Sequence, residues 1–422
     1  MQARVSRWLD DQIARGKLPR AEILVQHKGK LVCKYNNSGA ATVKPKPGEE
    51  VIYRMYSMTK PIVSLAVMLL FEEGRFQLNE PIWKFLGEKW KKQNMKVMDL
   101  TKKQDPITTV PCNKSITVYH LLTHTSGLSH GLAIPGVNDP LDVYYNKVGL
   151  GSSQTLLRRS EDVGVPTLQE LCDRLAECPL LFQPGDYWNY SYSVDLLGRI
   201  IEVVSGQSLE DFLQERILKK LGMVDTSFIC PKEKESRLSE VWLTRPGGPK
   251  NIGSSALLPK YFSGSAGLVG TCHDYLLFAE MLLRGGLSRD GERIVSRKTL
   301  EWMTTNHLRD KDQRLRTIRQ SGLLHFADDK AHGIGFGLGF GVISDPPMDS
   351  FIATEGTYFW SGAASTLFWV DPKEQLIVVL GTALLLPDPL ETPINPPLRA
   401  LIYGALDHDV KKDDVLLPSS KL

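Results

Sequence analysis

Residues 57–74 read SMTKPIVSLAVMLLFEEG, and this stretch decides how the rest of the chain is interpreted. Residues 62–73 are apolar on nearly every face, and a helix of that kind lies inside a protein rather than on its surface. Gly74 suits the position just past the end of such a helix. Ser57 and Lys60 stand three apart at its start, so their side chains share one face. The sequence therefore predicts a buried helix that opens with neighbouring serine and lysine side chains.

The serine and lysine have the chemistry of a nucleophile and its base. Burial disfavours an ammonium ion and lowers a lysine pKa, which would let Lys60 accept the proton of the Ser57 hydroxyl. A serine hydroxyl is a weak nucleophile without such a base. Residues 264–267 come near the G-x-S-x-G motif of serine esterases but fail its spacing, and Ser57, with Lys60 beside it, is the candidate nucleophile. The alternative is a helix cap followed by a lysine that reaches solvent.

Composition excludes several classes of protein. Of the 422 residues, 42% are hydrophobic and 23% charged, which rules out a mainly disordered chain. The net charge of +3 argues against a dedicated nucleic-acid binder. The longest apolar run, residues 62–71, is half of the roughly 20 residues that a membrane span needs. We expect neither a nucleic-acid partner nor a membrane span.

The sequence predicts no metal and no other cofactor. His120 and His124 stand four apart, but Leu121 occupies the place of the glutamate in H-E-x-x-H, so we interpret both histidines as structural. The glycine-rich residues 335–339 do not match G-x-G-x-x-G. Six scattered cysteines without C-x-x-C spacing predict free thiols rather than a disulfide framework.

Strand-like runs at both ends of the chain enclose a mainly helical middle. The N-terminal runs flank the turn Lys28-Gly29, which predicts a hairpin, and the C-terminal runs are residues 334–343, 366–370 and 376–380. Helical periodicity marks residues 194–204 and 278–282. We therefore predict an α/β (α+β) domain built from residues 1–95 and 255–422, with a mainly helical insertion of residues 96–254.

The chain ends Ser420-Lys421-Leu422. A C-terminal S-K-L is an address that the peroxisomal import receptor reads, and chance occurrence is the alternative. Charged and proline residues precede it, which favours an exposed tail. We expect the protein to be peroxisomal through Ser420, Lys421 and Leu422, and otherwise cytoplasmic.

Four motifs in order resemble the serine β-lactamase and penicillin-binding-protein superfamily. Ser57-Met58-Thr59-Lys60 looks like its active-site tetrad. The other three resemble segments of the class C-like branch: HLLTHTSGL at 120–128, PGDYWNYS at 184–191 and GSAGL at 264–268. The similarity extends from about residue 5 to about residue 405. It implies a class C β-lactamase-like fold, with an antiparallel sheet flanked by helices and an inserted helical domain.

Two departures indicate a particular branch. Tyr192 stands where class C β-lactamases have asparagine. Trp360-Ser361-Gly362 stands where lactamases carry Lys-Thr-Gly, and a Trp-x-Gly there is similar to family VIII carboxylesterases. The missing lysine would bind the carboxylate of a β-lactam or a peptide C-terminus, so its loss favours uncharged esters.

The resemblance also implies roles for individual residues. Ser57 would attack the ester carbonyl, while Lys60 and Tyr190 would share its proton, and either could be the immediate base. The backbone N–H groups of Ser57 and Ala363 resemble the oxyanion hole. The resemblance also implies that Trp360 and Gly362 line the substrate pocket.

The implied function is a serine carboxylesterase that forms an acyl-enzyme from a small-molecule ester. An acyltransferase on the same scaffold is the nearest alternative, and a β-lactamase or D-amino-acid peptidase comes third. A non-catalytic binding protein is disfavoured because Ser57, Lys60 and Tyr190 are all present.

Overall fold

A seven-stranded antiparallel sheet lies at the centre of the molecule. The computed structural model describes residues 1–101, 107–131, 140–151, 167–244, 248–253, 261–308, 333–348, 352–385 and 392–406. The sheet joins two strands from the N-terminal part of the chain to five from the C-terminal part. Their spatial order is Lys30–Asn37, Ala21–His27, Leu376–Gly381, Leu367–Asp371, Tyr358–Ser361, Gly341–Ile343 and Ile334–Phe336. The predicted mixture of helices and antiparallel sheet is confirmed.

The hairpin that begins the sheet forms where the sequence predicts it. Lys28 and Gly29 both have a positive φ, 49° and 75°, as the tight turns that match strand twist require. The strand Ala21–His27 then pairs along its length with Leu376–Gly381, whose six residues are all buried. This pairing joins the N-terminal and C-terminal parts of the chain in one sheet.

Shorter strands form three small sheets outside the central one. They are Tyr53–Arg54, Lys96–Met98, Thr109–Pro111, Val241–Leu243, Lys250–Gly253, Val269–Gly270 and Leu384–Leu385.

Helices cover the sheet and fill the middle of the chain. Cys272–Leu283 packs directly on the central strands. The described α-helices are Gln2–Ala14, Thr59–Glu72, Trp83–Leu86, Val118–Leu122, Pro140–Lys147, Leu168–Ala176, Ser193–Ser205, Leu209–Leu213, Lys219–Leu221, Cys272–Leu283, Arg297–Met303 and Asn395–Tyr403. The boundaries 95/96 and 254/255 of the inserted domain stay a prediction.

The helix Thr59–Glu72 is the buried helix that the sequence predicts. Every residue from its start to Leu70 is buried, and it packs against the helix Ser193–Ser205. Pro61 occupies its first turn, where a missing N–H costs nothing. Gly74, just past its end, has a φ of +70°. An amphipathic surface helix could not bury all its faces in this way.

Three further sequence predictions concern features outside the site. All six cysteines are free, as the spacing predicts, and the structure shows that all six are buried. Among the described residues, no helix has the length and apolarity that a membrane crossing requires. The tripeptide Ser420-Lys421-Leu422 lies outside the described residues.

Candidate active site

Ser57 lies in a tight turn, Tyr56–Met58, directly before the buried helix. Tyr56 has a φ of 44°, a left-handed conformation that costs a residue with a side chain roughly 1 kcal/mol or more. Neighbouring segments hold the turn in place. Met55 N donates to the Leu268 carbonyl at 2.9 Å, and Tyr275 Oη donates to the Met58 carbonyl at 2.9 Å.

Three buried side chains meet at this turn. Lys60 Nζ lies 3.2 Å from Ser57 Oγ, and Tyr190 Oη donates a hydrogen bond of 2.6 Å to the same oxygen. Lys60 Nζ also lies 4.4 Å from the centre of the Tyr190 ring. Tyr190 is 133 residues from Ser57 in the chain, so only the folded protein unites them. The structure thus brings together the three residues that the resemblance groups as catalytic.

The protonation states suit proton transfer from the serine. Burial lowers the pKa of Lys60 to about 7, although the charge of Asp195 acts in the opposite direction. Burial raises the pKa of the Tyr190 phenol, and its hydrogen bonds with Ser57 and Trp360 only partly oppose this. Near neutral pH a substantial share of Lys60 is therefore uncharged and able to accept a proton, whereas Tyr190 keeps its own.

Tyr190 is packed inside a group of aromatic rings. His130 stacks on it with ring centres 5.1 Å apart and an angle of 1° between planes. His124, Trp188 and Trp360 contact its other sides, with ring centres 5.0, 6.3 and 5.8 Å away. These contacts restrict the direction in which the phenol oxygen points.

The histidines near the site have structural surroundings. His120 Nδ1 accepts a 3.2 Å hydrogen bond from the Thr117 N–H at the start of a short helix. His124 Nδ1 lies 3.1 Å from Ser191 Oγ. Burial lowers the pKa of His124 and His130 well below the usual range, and the charge of Lys60 adds to the effect. Among the residues described here, no three His, Cys, Asp or Glu side chains form a group suited to a metal ion.

The end of the strand Tyr358–Ser361 closes one side of the site. A Cβ on Gly362 would lie 2.4 Å from the Met55 carbonyl oxygen, so only glycine lets the strand end pack on the nucleophile turn. Ala363 follows and packs in one apolar cluster with Tyr56. Trp360 is 3% exposed and contacts Tyr190 and Phe336. The contributions of Trp360, Gly362 and Ala363 to substrate binding or oxyanion stabilisation stay predictions.

Sequence reasoning missed two residues beside the site. Asp195 is fully buried on the helix Ser193–Ser205, and its charge acts on Lys60. An aspartate on the buried side of a strongly apolar helix is an unusual signal that could have drawn attention to it. His130 lies just after the HTSGL motif, and only the fold reveals its stacking on Tyr190.

Comparisons with known proteins agree with this geometry. Residues 5–396 match the family model described as Beta-lactamase. Protein Rv1367c of Mycobacterium tuberculosis is 30% identical over 342 residues, which cover 78% of this chain and 77% of that protein. Esterase EstB of Burkholderia gladioli is 26% identical and covers 95% of both chains.

A solved structure supports the same fold. EstCE1, described as a hydrolase with promiscuous acyltransferase activity, superimposes with a TM-score of 0.73 at 23% identity and covers 96% of this chain and 97% of that one. The predicted superfamily and the class C-like fold are confirmed. With a match over nearly its whole length, the chain belongs to the beta-lactamase family of serine hydrolases.

Proposed function

We propose that this protein is a serine carboxylesterase that forms an acyl-enzyme on Ser57. The observation that carries the proposal is the contact of one buried serine oxygen with both Lys60 Nζ and Tyr190 Oη. A serine becomes an effective nucleophile when an adjacent group accepts its proton and a hydrogen bond orients its oxygen. Esterase EstB, which aligns over 95% of both chains, supports an ester as the substrate.

We propose a separate task for each of the site residues. Uncharged Lys60 takes the hydroxyl proton as Ser57 Oγ forms its bond to the ester carbonyl carbon. The backbone N–H groups of Ser57 and Ala363 stabilise the oxyanion, and losing one such donor costs about 2.7–4 kcal/mol. Tyr190, whose high pKa keeps its proton in place, donates it to the departing alcohol and regains one from Lys60. Water then attacks the acyl carbonyl carbon as uncharged Lys60 takes its proton. The bond to Ser57 Oγ breaks, the free acid leaves, and Ser57 regains a proton from Lys60.

The surroundings of the serine favour uncharged substrates. An apolar cluster adjoins the nucleophile turn and consists of Tyr56, Val241, Ala363, Ala364 and Leu385, with Leu243 and Ala266 packed against it. Trp360 occupies the position where lactamases place a lysine. A carboxylate would have to give up its hydration against this apolar surface without that cation, which is costly. We therefore propose neutral esters as the substrate class.

Acyl transfer is the second candidate. The same acyl-enzyme yields a new ester when an alcohol replaces water, and the description of EstCE1 names both activities. Incubating the protein with an acyl donor and increasing concentrations of a small alcohol distinguishes the two functions. A hydrolase releases mainly free acid at moderate alcohol concentrations, whereas a transferase releases mainly the new ester.

Intact-mass spectrometry tests the proposed intermediate directly. The protein is mixed with a panel of p-nitrophenyl esters, quenched within seconds and weighed. We expect a mass increase equal to one acyl group, located on Ser57 by peptide mapping and absent from Ser57→Ala. Acylation at another residue would contradict the assignment of the nucleophile.

We also propose a peroxisomal location. The support is the C-terminal Ser420-Lys421-Leu422, which has the form of an import address. The receptor would recognise the terminal carboxylate together with the lysine side chain. Acyl esters in that compartment would then be the accessible substrates.

A further inference from the structure

A buried carboxylate connects two separate parts of the chain behind Lys60. Asp195 lies in the first turn of the helix Ser193–Ser205 and is fully buried. Its Oδ1 accepts a 2.7 Å hydrogen bond from Ser263 Oγ and a 3.3 Å bond from the Ser265 N–H. These donors lie 68 and 70 residues downstream. The carboxylate therefore holds a distant segment rather than capping only its own helix.

The segment that Asp195 holds contacts the lysine of the site. The Ser265 carbonyl accepts a 2.7 Å hydrogen bond from Lys60 Nζ. An uncharged lysine has two N–H groups and one lone pair, so fixing one N–H limits the directions in which the lone pair points. Ser57 Oγ lies 3.2 Å from the same nitrogen. Correct placement of Ser265 thus aims the basic nitrogen at the nucleophile.

Close packing leaves this segment little freedom to move. A Cβ on Gly264 would lie 2.4 Å from the Val194 carbonyl oxygen, so the backbone rests directly on the start of the helix. A small shift of Asp195 would accordingly be transmitted through Ser265 to Lys60.

The negative charge of Asp195 also raises the pKa of Lys60, in opposition to burial. Burial raises the pKa of Asp195 above its usual value. The hydrogen bonds from the two serines, the charge of Lys60 and the helix N-terminus act in the opposite direction and favour the ionised form. The other titratable groups near the pair are His124, His130, Tyr190 and, facing Asp195, Cys172. Burial keeps each of these uncharged near neutral pH, because it lowers the histidine pKa values and raises those of the phenol and the thiol.

We propose that Asp195 is a positioning residue that holds the Ser265 carbonyl on Lys60 and sets the pH at which this lysine becomes a base. The inference rests on the proposed function, in which Lys60 accepts the proton of Ser57. Removing the negative charge destabilises the ammonium form of Lys60, so the pKa of the lysine falls. The midpoint of the acid side of the activity profile must then move to lower pH.

The test compares kcat/KM for p-nitrophenyl acetate between pH 5 and 9 in wild type and Asp195→Asn. We expect the midpoint to fall by about one unit or more, the usual effect of losing a nearby opposite charge. Activity at pH 6, relative to the plateau, then rises about fivefold for a one-unit shift. The plateau itself falls, because a less basic lysine transfers protons less well.

Asp371→Asn is the matched control. Asp371 is another fully buried aspartate that accepts backbone hydrogen bonds and one from Tyr403, but it lies at the far end of the strand Leu367–Asp371. We expect this variant to lose stability without moving the midpoint. An equal shift in both variants would show that the effect is general and would overturn the inference.

The possible outcomes distinguish a failure of this inference from a failure of the proposed function. Ester hydrolysis that persists in Ser57→Ala contradicts the proposed function and the inference together. An inactive Ser57→Ala with an unmoved midpoint in Asp195→Asn overturns the inference alone. If Asp195→Asn does not fold, Ser263→Ala replaces it: losing the 2.7 Å donor raises the pKa of Asp195 and should move the midpoint in the same direction by less. A folded Ser263→Ala with an unchanged midpoint then counts against the proposal.

Discussion

At the scale of single residues, the site depends on what burial does to Lys60 and Tyr190. The same water-poor surroundings disfavour the charged form of each, which is the ammonium of one and the phenolate of the other. The two pKa values therefore move apart, and the groups take different tasks. Ser57 Oγ lies within hydrogen-bonding distance of both.

Replacing Ser57 by alanine should abolish ester hydrolysis while leaving the protein folded. Lys60→Ala and Tyr190→Phe should each lose most of the activity, because both groups act on the same oxygen. The losses should not add in the double variant, as is typical of residues that act as a unit. Steady-state kinetics with p-nitrophenyl butyrate, together with circular dichroism, checks this. Near-normal turnover by a folded Ser57→Ala would refute the assignment.

Activity should rise with pH through a midpoint near 7. Only uncharged Lys60 can accept the serine proton, and its pKa is lowered to about 7, so each unit below the midpoint should cost about tenfold. The raised pKa of Tyr190 keeps its proton in place, so no loss from this group is expected up to about pH 10. Profiles of kcat/KM corrected for spontaneous hydrolysis provide the measurement. A flat profile from pH 5 to 8 would exclude Lys60 as the base.

Neutral esters should be much better substrates than penicillins. We propose that Trp360 takes the place of a carboxylate-binding lysine, and charged β-lactams should then lose binding energy in the transition state. We expect kcat/KM for a small aryl ester to exceed that for benzylpenicillin by at least about a hundredfold, or roughly 2.7 kcal/mol. Comparable values for the two substrates would show that position 360 does not select against the carboxylate.

At the scale of secondary-structure elements, the strand Ala21–His27 contains a buried acid inside the sheet. Glu22 pairs across the sheet with Gly381, and its Oε2 accepts a 3.2 Å hydrogen bond from Tyr53. Burial, with a smaller contribution from Glu50, raises the pKa of Glu22 to about 7 from a usual value of 4.5. The folded state therefore holds a proton that the unfolded state releases between these two values.

This linkage gives the strand a pH-dependent stability. Protonated Glu22 contributes fully to the free energy of unfolding below about pH 4.5, and this contribution is lost as pH rises through 7. The reason is that Glu22 ionises at a lower pH in the unfolded chain than in the folded protein. Glu22→Gln keeps an acceptor for Tyr53 but cannot ionise. We compare the free energy of unfolding of the variant with that of wild type at each pH. We expect this difference to favour the variant by up to about 3 kcal/mol more at pH 8 than at pH 5. Urea unfolding at both pH values measures this, and an equal difference at both would refute the prediction.

At the scale of the whole molecule, we propose that the catalytic machinery and the peroxisomal address act independently. The site residues lie in the core, whereas Ser420-Lys421-Leu422 ends the chain after charged and proline residues. Charged and proline residues favour an exposed tail, and we propose that a receptor binds this tail without disturbing the site. Activity and location should therefore respond to different changes.

A fluorescent protein fused to the N-terminus, with the C-terminus left free, should appear in punctate peroxisomes. Deleting residues 420–422 should return the fusion to the cytosol without changing esterase activity. Fluorescence microscopy with a peroxisomal marker, in cells that import a control S-K-L cargo, provides the readout. A diffuse signal from the full-length fusion would mean that the tripeptide occurs by chance.

The sequence by itself determined the features that depend on local pattern. The apolar residues 62–73 predicted a buried helix, Lys28-Gly29 predicted a hairpin, and the S-x-x-K spacing placed Lys60 beside Ser57, because neighbours along a helix or turn are fixed by backbone geometry. The motifs added the family and the pairing of Ser57 with Tyr190. All of these features are readable without knowledge of long-range packing.

Only the tertiary structure decided what surrounds these groups. Asp195, Ser265 and His130 come from segments with no mutual sequence spacing, and they meet near Lys60 and Tyr190 because the helices and the sheet pack together. Burial, and with it the pKa of Lys60, is a property of the whole packed core and cannot be calculated from neighbours in the chain. The requirement for glycine at 362 likewise arises from packing, because a Cβ there would lie 2.3 Å from Thr366 Oγ1 and 2.4 Å from the carbonyl oxygen of Met55, which is far away in sequence.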